Sequence, residues 1–376
     1  MINPQFFLNE LKKRCITFFS GVPDSLLSDL CFCIEDNLDS DHHVIAANEG
    51  NAIAIASGYY LSTRNIPAVY MQNSGLGNAV NPLVSLNNAK VYEIPLLLII
   101  GWRGEPDIED EPQHIMQGEI TLKQLKILKI PTYILSQDAS AEFILNKAFA
   151  DLKKLNTPVA ILVRKGTFEK YISKNRTYSA LNALVREEVL EDILNLKNSD
   201  DVIISTTGKT SRELYELRAK REENLTDFMN VGSMGHTSSL ALGIAIGEKS
   251  RRIICIDGDG SMLMHLGSLA TIGSLAKNNF FHILLNNYCH ESVGGQPTSA
   301  KYINFGQMSK ALGYKAYKKV LTLQGLKKAW KKIDFLSGPI LLEIKIKNGS
   351  RSNLGRPKQT PKENKVKFMD FLNRGS

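Results

Sequence analysis

The chain has 376 residues, the length of two typical domains, and its 43% hydrophobic and 22% charged residues are ordinary for a globular protein. These values exclude a disordered, collagenous or disulfide-scaffold chain, and the longest apolar run, Ile94–Ile100, is too short to span a membrane. The net charge is +8, but Lys345–Ser376 holds nine Lys and Arg against two acids. The rest of the chain is therefore nearly neutral, unlike a nucleic-acid-binding protein, and the basic segment suits a small anion or a solvated tail.

The cysteines and the N-terminus predict a reducing compartment, the cytoplasm. The cysteine count, five, is odd, and the N-terminal residues do not have the basic-then-apolar order of a secretory signal. Cys31 and Cys33 lie near His42 and His43, but this spacing differs from the C-x2-C pairs that are typical of zinc sites. We therefore expect free thiols rather than a zinc centre.

Short apolar runs alternate with helical patterns along the whole chain. This alternation predicts an α/β fold with two doubly wound parallel-sheet domains. The strands expected in the first half are Thr17–Ser20, His43–Ala46, Ala68–Gln72, Leu96–Gly101, Thr132–Leu135 and Pro158–Val163. Those expected in the second half are Val202–Ser205, Asp227–Val231, Ile253–Asp257, Phe281–Asn286, Lys315–Lys319 and Ile340–Ile346. Helices are expected at Gly50–Leu61, Ser140–Lys154 and Met262–Lys277, among others.

The two halves are separated by a polar stretch of mixed composition, Gly166–Arg186. Such a stretch between two α/β patterns is typical of an interdomain linker. The sequence therefore predicts one domain over residues 1–175 and a second over residues 176–376.

The second half contains the strongest chemical signal. One expected strand runs into Gly258-Asp259-Gly260-Ser261, and the next ends in Asn286-Asn287. Because ligands bind at the carboxyl ends of parallel strands, Asp259 and Asn287 would supply hard oxygens that suit Mg²⁺. The glycines would let the backbone approach phosphates, and a helix N-terminus at Ser261 would add partial positive charge.

This GDG…NN pattern resembles the cofactor-binding motif of the thiamine-diphosphate-dependent 2-oxoacid decarboxylases. The resemblance implies thiamine diphosphate and Mg²⁺, with Asp259, Asn287 and the backbone carbonyl of Cys289 as metal ligands. Tyr288 departs from the family pattern, which more often has Gly after the two asparagines.

The segment Gly232–His236 resembles the family segment in which a bulky apolar residue holds the cofactor bent, which implies that role for Met234 and a contact for the Gly232 carbonyl. The turn after the first strand of this half, which resembles the family's diphosphate turn, consists of Thr207, Gly208, Lys209 and Thr210, and either of the last two could take the second phosphate contact.

The first half carries the matching signal, Asn48-Glu49-Gly50, at the start of a helix rich in small residues. By resemblance, Glu49 exchanges a proton with the pyrimidine ring of the cofactor. The family usually has three domains, so this chain has room for its pyrimidine-binding and diphosphate-binding domains, with the middle domain absent. The family also binds its cofactor across a subunit interface, which implies at least a homodimer.

Six further segments carry a narrower resemblance: Ser20–Ser25, Trp102–Glu105, Asp110–His114, Glu291–Thr298, Gly349–Arg351 and Leu354–Pro357. They resemble the branch of the family that decarboxylates 3-phosphonopyruvate to phosphonoacetaldehyde, which implies that activity. The dianionic phosphonate needs forked cationic donors, so candidate substrate ligands are Arg103, Arg351 and Arg356. The alternative for each of these arginines is simple solvation at the surface.

Four more residues are candidates for contact with the substrate or for proton transfer. Ser25 and Asp24 follow the first strand, where related decarboxylases place a serine against the substrate carboxylate or an acid close by, although either could simply cap a helix. His114 and His290 lie in predicted loops and could transfer protons near neutral pH, or could be ordinary surface histidines.

Three other functions remain open from the sequence. Sulfopyruvate is the nearest alternative substrate, since sulfonate and phosphonate are similar tetrahedral anions. A thiamine-dependent carboligase is more distant, because such enzymes normally have the third domain. A non-catalytic cofactor-binding subunit would be expected to lack Glu49, which this chain keeps.

Overall fold

The computed structural model describes residues 1–174, 183–333, 336 and 338–373. The chain divides into two compact units, Met1–Thr177 and Tyr178–Ser376, here called unit 1 and unit 2. The predicted boundary between residues 175 and 176 lies outside the described residues, so the two-domain division at that point stays a prediction.

Unit 1 is built on one six-stranded sheet in which every strand pair is parallel. Its strands are β1 Phe19–Gly21, β2 His43–Ile45, β3 Ala68–Gln72, β4 Leu97–Gly101, β5 Thr132–Leu135 and β6 Val159–Val163. Its helices are α1 Pro4–Lys13, α2 Ser28–Asn37, α3 Glu49–Thr63, α4 Leu76–Ser85, α5 Pro112–Ile127 and α6 Ala141–Leu155.

Unit 2 is built on a second six-stranded parallel sheet and a separate two-stranded hairpin. Its strands are β7 Val202–Ser205, β8 Phe228–Met229, β9 Ile253–Gly258, β10 Phe280–Asn286, β11 Cys289–His290, β12 Gln296–Pro297, β13 Ala316–Val320 and β14 Ile340–Lys345. Its helices are α7 Arg186–Leu196, α8 Lys209–Lys220, α9 Thr237–Gly247, α10 Asp259–Met264, α11 Ser268–Leu275, α12 Phe305–Ala311, α13 Leu323–Ile333 and α14 Pro361–Asn373.

Both sheets are buried on their two faces, which explains their uninterrupted apolar strands. Along β4, Leu97 and Ile99 pack into one apolar cluster, whereas Leu98 and Ile100 pack into another. Residues alternate between the faces of a strand, so a sheet covered by helices on both sides needs apolar residues at every position. The predicted doubly wound α/β fold is confirmed.

The two sheets have the same strand order. Unit 1 runs β2-β1-β3-β4-β6-β5, and unit 2, counted from the corresponding edge, runs β8-β7-β9-β10-β14-β13. In each sheet the chain reverses its direction of winding between the first and third strands. A crevice for ligands opens at the carboxyl ends of the strands at such a switch point. The fold therefore marks the ends of β1 and β3 in unit 1, and of β7 and β9 in unit 2.

Two predicted segments differ from the observed ones. The linker predicted from Gly166 is in part a portion of unit 1, because Thr167 and Phe168 are buried there and Phe168 forms a backbone bridge with Ile2. The helix predicted over Met262–Lys277 is two helices, α10 and α11, separated by three residues. The short α10 begins at Asp259, so the helix start expected at Ser261 was placed two residues late.

All five cysteines lie among the described residues. Cys31, Cys33, Cys255 and Cys289 are buried and Cys15 is exposed, and all five are free thiols. In the described part of the chain, no helix is both long and apolar enough to cross a bilayer.

His43 gives unit 1 a predictable pH dependence. Its Nε2 lies 2.8 Å from the Tyr70 hydroxyl, and burial lowers the pKa of His43 to about 4. In the unfolded chain His43 is protonated as the pH falls through about 6.5, whereas in the folded chain it stays neutral down to about pH 4. The free energy of unfolding therefore falls as the pH drops through this window. Between pH 6.5 and 5 this protonation lowers the free energy of unfolding by about 1.6 kcal/mol, and we expect His43→Phe to remove that loss. Urea unfolding at both pH values measures this difference in the free energy of unfolding, with the exposed His42→Phe variant as control. If the unfolding free energy of His43→Phe depends on pH as steeply as that of the wild type, the prediction is contradicted.

Candidate active site

A cavity in unit 2 lies at the carboxyl ends of β7, β9 and β10, with about 550 Å³ of empty space that is partly open to solvent. Asp259 lines this cavity at the start of α10 and is only 2% exposed. Burial raises its pKa to about 6, although the Thr298 hydroxyl donates to Oδ2 at 2.5 Å. A buried carboxylate with an accessible cavity beside it is suited to a cation.

The loop after β10 brings the other predicted metal ligands to the same cavity. Asn287 and Cys289 both line it. In the β11–β12 hairpin, Thr298 N donates to the Tyr288 carbonyl at 2.9 Å and Gly295 N donates to the His290 carbonyl at 3.0 Å. The carbonyl of Cys289, between these two bonds, is left out of the hairpin ladder and is available to a metal.

Tyr288 occupies a backbone conformation that favours glycine. Its φ is 62°, in the left-handed region, which agrees with the glycine more often found there in the family. The strain is opposed by a bond from Tyr288 N to the Asn286 side chain at 3.2 Å. The ammonium of Lys345 also lies 3.3 Å from the centre of the Tyr288 ring. The metal-ligand loop is thus supported in spite of the missing glycine.

The other side of the cavity has the features of an anion site. It is lined by Thr207, Lys209 and Thr210, and helix α8 begins here, after Gly208 with φ 95°, without a capping side chain. The unpaired N–H groups and partial positive charge at a helix N-terminus bind phosphate.

Met234 reaches the cavity from a tightly turned loop. Gly232 and Gly235 both have positive φ, and Gly232 N donates to the Thr207 hydroxyl at 3.1 Å. Gly235 N and the Thr206 hydroxyl both donate to the Ser261 hydroxyl at 3.1 Å. These bonds join the loop that carries Met234 to both the phosphate side and the GDG turn.

Two charged residues in the cavity, Arg186 and Glu291, were given no role from the sequence, although Glu291 begins a segment that carries the family resemblance. Arg186 is 4% exposed and binds Glu291 at 2.7 Å, and Lys209 binds the same carboxylate at 3.1 Å. Asn287 donates its amide hydrogen to Glu291 at 3.0 Å, which turns its carbonyl oxygen away from this ion pair. No local signal could have found Arg186, because it lies about 100 residues from Glu291 in the chain.

His290 and Cys289 both line the cavity, and the predicted proton-transfer role of His290 stays a prediction. Burial lowers the pKa of His290 to about 4, so the ring is neutral near pH 7. The ring lies so close to Gly260 that a Cβ there would come within 2.7 Å of Nδ1. Burial raises the pKa of the Cys289 thiol well above its usual range, which keeps it protonated.

Glu49 is the first residue of α3 and is 5% exposed. Its Oε2 accepts a bond from the Asn78 amide at 2.8 Å. Its other carboxylate oxygen lies against Gly75, where a Cβ would come within 2.5 Å. The side chain is therefore held in one place by two residues that sequence reasoning did not single out.

A polar cluster lies at the switch point of unit 1. The Arg103 guanidinium donates from Nη1 to the Ser25 hydroxyl at 2.8 Å, so two predicted site residues are brought into contact. Asp24 beside them is fully buried, and burial raises its pKa although Gln72 donates to it at 2.6 Å. Asp24 therefore favours the protonated state more than an ordinary carboxyl group.

Arg103 is fixed by Asp110, which begins a segment of the family resemblance but was given no role, and by Asn73, which the sequence did not single out. Asp110 accepts from Arg103 Nε at 2.7 Å and also from Nη2. Asn73 forms two bonds with the Arg103 backbone, at 2.8 and 3.2 Å. His114 lies near this cluster at the start of α5, and burial followed by the charge of Arg103 lowers its pKa.

The two C-terminal arginines lie elsewhere in unit 2. Arg351 pairs with Glu187 at 3.1 Å and also with Glu216, which tethers the segment to α7 and α8. Arg356 is exposed. Neither is among the residues that line the described cavity. Their predicted role in phosphonate binding stays a prediction.

The class of protein follows from two parallel sheets, each with a polar site at its switch point. Residues 4–127 match the thiamine pyrophosphate enzyme N-terminal TPP binding domain, and residues 206–344 match the corresponding C-terminal TPP binding domain. The chain belongs to the thiamine pyrophosphate enzymes.

Relatives match this chain over nearly its whole length. The phosphonopyruvate decarboxylase of Streptomyces viridochromogenes is 34% identical over 95% of this chain and 91% of its own. That of Streptomyces hygroscopicus is 33% identical over 99% and 94%. The sulfopyruvate decarboxylase of Methanosarcina acetivorans is 26% identical over 99% and 98%. The family resemblance read from the GDG…NN pattern is confirmed.

The unit 2 cavity fits the cofactor of this family. It offers the uncapped N-terminus of α8 to phosphate oxygens, and Asp259, Asn287 and a spare carbonyl at Cys289 to a hard cation. In the described residues no group of three or more His, Cys, Asp and Glu side chains is placed to hold a metal.

Proposed function

We propose that this protein decarboxylates 3-phosphonopyruvate to phosphonoacetaldehyde and CO2, using thiamine diphosphate and Mg²⁺. The observation that carries this proposal is identity of 33–34% with two phosphonopyruvate decarboxylases over nearly the full length of both chains. The ion-paired Arg103 beside Ser25 supports it, because a substrate with a second anion needs a fixed cation.

In unit 2 the chain's residues bind and orient the cofactor. Asp259, Asn287 and the Cys289 carbonyl would hold Mg²⁺, and the α8 N-terminus with Thr207 and Lys209 would hold the diphosphate. Met234 would pack against the cofactor rings, and Gly258 and Gly260 would let the backbone approach the phosphates. When bound, thiamine diphosphate supplies the electron sink that accepts the bonding pair as CO2 leaves.

In unit 1 the chain's residues handle the proton and the substrate. Glu49, held by Asn78, would exchange a proton with the pyrimidine ring of the bound cofactor. Arg103 and Ser25 bind an anionic group of the substrate. Asp24 is the candidate to return a proton to the product carbon, because burial raises its pKa and favours the protonated acid. His114, whose pKa is lowered, favours the neutral imidazole and would accept a proton instead.

Sulfopyruvate is the second candidate substrate. It is favoured by the 26% identity to a sulfopyruvate decarboxylase that covers 99% of this chain. A sulfonate carries one negative charge where a phosphonate carries up to two, so the same arginine can bind either.

The activity test compares CO2 release from phosphonopyruvate, sulfopyruvate and pyruvate, with thiamine diphosphate and Mg²⁺ present or removed. We expect phosphonopyruvate to be preferred and the release to stop when the metal is chelated. Preference for sulfopyruvate would replace the substrate and keep the mechanism. Absence of release from all three would overturn the proposal.

We also propose a homodimer or larger assembly, as the family resemblance implies, and a cytoplasmic location, which the cysteines and the N-terminal residues indicate. In such an assembly Glu49 of one protomer would serve the Asp259 site of another. Sedimentation with and without cofactor tests the assembly, and a purely monomeric active enzyme would contradict it.

A further inference from the structure

The cluster of Ser25, Arg103 and Asp110 occupies the same place in unit 1 as the cofactor cavity does in unit 2. It lies beyond the carboxyl ends of β1, β3 and β4, at the switch point of the sheet. The ends of these strands are fixed by the parallel ladder, so the cluster is carried by a rigid part of the fold.

Ser25 and Arg103 are joined directly. Arg103 Nη1 donates to the Ser25 hydroxyl oxygen at 2.8 Å, so the hydroxyl keeps its own proton for another acceptor. Ser25 is exposed, and the Arg103 side chain is 20% exposed. One anionic group arriving from solvent can therefore contact both side chains. Two separate anions, one on each side chain, would overlap in space.

Asp110 determines which edge of the guanidinium is left for a ligand. The Asp110 carboxylate accepts hydrogen bonds from Arg103 Nε at 2.7 Å and from Arg103 Nη2. It also accepts hydrogen bonds from Gly104 N at 2.9 Å and from Glu111 N at 2.8 Å. Burial opposes ionisation, but Arg103 and these backbone donors hold the pKa of Asp110 well below its usual range. The carboxylate is therefore saturated and stays charged, and it cannot rotate without losing several bonds.

The remaining donors of Arg103 suit a tetrahedral anion. The three bonds to Asp110 and Ser25 use three of its five N–H groups, and the other two lie on Nη1 and Nη2. These two nitrogens form the forked edge that binds carboxylate or phosphonate oxygens in pairs. Since the guanidinium is already fixed, little side-chain freedom is lost on binding.

We propose that Ser25 and Arg103 form a single receptor for the phosphonate of the substrate, and that Asp110 is the positioning residue that orients it. This inference rests on the proposed function. The carboxylate of the substrate leaves as CO2, and a strong ion pair to it would stabilise the ground state and slow the reaction. The phosphonate stays on the product, so an ion pair to it carries no such penalty. Ser25 is thereby assigned to the phosphonate rather than to the carboxylate that the family resemblance suggests.

The test measures kcat and KM for phosphonopyruvate, the inhibition constant of methylphosphonate, thiamine diphosphate affinity and melting temperature. The variants are Arg103→Met, Asp110→Asn and Ser25→Ala, with Glu109→Gln as the control that removes an exposed acid one residue away. We expect KM and the inhibition constant to rise together, about 10- to 100-fold for Arg103→Met and about 5- to 30-fold for the other two. We expect kcat to stay within about threefold, and cofactor affinity to be unchanged.

Each contrary result bears on one part of the proposal. An unchanged KM in Asp110→Asn, with a raised KM in Arg103→Met, would remove the positioning role. A lower kcat in Ser25→Ala with an unchanged methylphosphonate constant would assign Ser25 to the carboxylate and overturn the single receptor. An unchanged KM in Arg103→Met would overturn the receptor, while the proposed function stands as long as the wild type releases CO2 from phosphonopyruvate. Should Asp110→Asn not fold, the exposed Ser25→Ala still decides.

Discussion

Replacement of Glu49 by Gln is expected to lower CO2 release by roughly 10²- to 10⁴-fold, the usual effect of removing a positioned proton donor or acceptor. Gln has the same shape as Glu and keeps an oxygen for the bond from Asn78, so the fold is expected to persist. Binding of thiamine diphosphate is expected to weaken only slightly, because the metal and phosphate ligands proposed here lie in unit 2.

Two measurements separate this expectation from a general loss of structure. One is the rate at which the C2 proton of the bound cofactor exchanges with solvent, which we expect to fall with the turnover rate. The other is cofactor affinity, measured by titration of intrinsic tryptophan fluorescence. Asn78→Ala provides a graded comparison, since it removes the bond that holds Glu49 but leaves the carboxyl group. Rapid C2 exchange in Glu49→Gln would refute the assigned role.

Replacement of Asp259 by Asn is expected to abolish activity at cofactor concentrations that saturate the wild type. Asp259 is the only carboxylate among the three proposed metal ligands, and Mg²⁺ binds carboxylate oxygens more strongly than amide oxygens. We expect the affinity for Mg²⁺ in the presence of thiamine diphosphate to fall at least about 100-fold, about 2.7 kcal/mol.

Calorimetric titration of Mg²⁺ into the protein with excess thiamine diphosphate measures this change directly. The matched control is Asp200→Asn, which removes an exposed acid from the loop after α7. The melting temperature without cofactor is expected to change little, because Thr298 can bond to the amide as well as to the carboxylate. Metal affinity within about threefold of the wild type would show that Asp259 does not bind the metal.

Much of the fold could be predicted from the sequence because the strands are buried on both faces. Uninterrupted apolar runs such as Leu96–Gly101 have few structural alternatives, and β4 lies within that range. Boundaries were less certain where a segment is short or broken. The expected strand Asp227–Val231 is reduced to the two residues of β8, and the hairpin β11–β12 gave no period that could be recognised.

The cofactor side of the candidate site could be predicted for a related reason. Asp259, Asn287 and Glu49 each lie one or two residues beyond a buried strand or at the start of a helix, so their place in the sheet follows from local sequence. Arg186, Glu291 and Asp110 could not be found in this way. Their importance comes from partners that the chain brings together only when it folds.

The sequence by itself determined the class of cofactor and the two α/β units, because short motifs at strand ends have a fixed geometry in a parallel sheet. Only the tertiary structure distinguished the arginines. Arg103 meets Ser25 across 78 residues of chain, whereas Arg351 is engaged by Glu187 across 164. Such pairs depend on the strand order and on which strand ends become neighbours. Hydrophobic periodicity predicts that a strand exists, but it does not predict which strand lies next to it in the sheet.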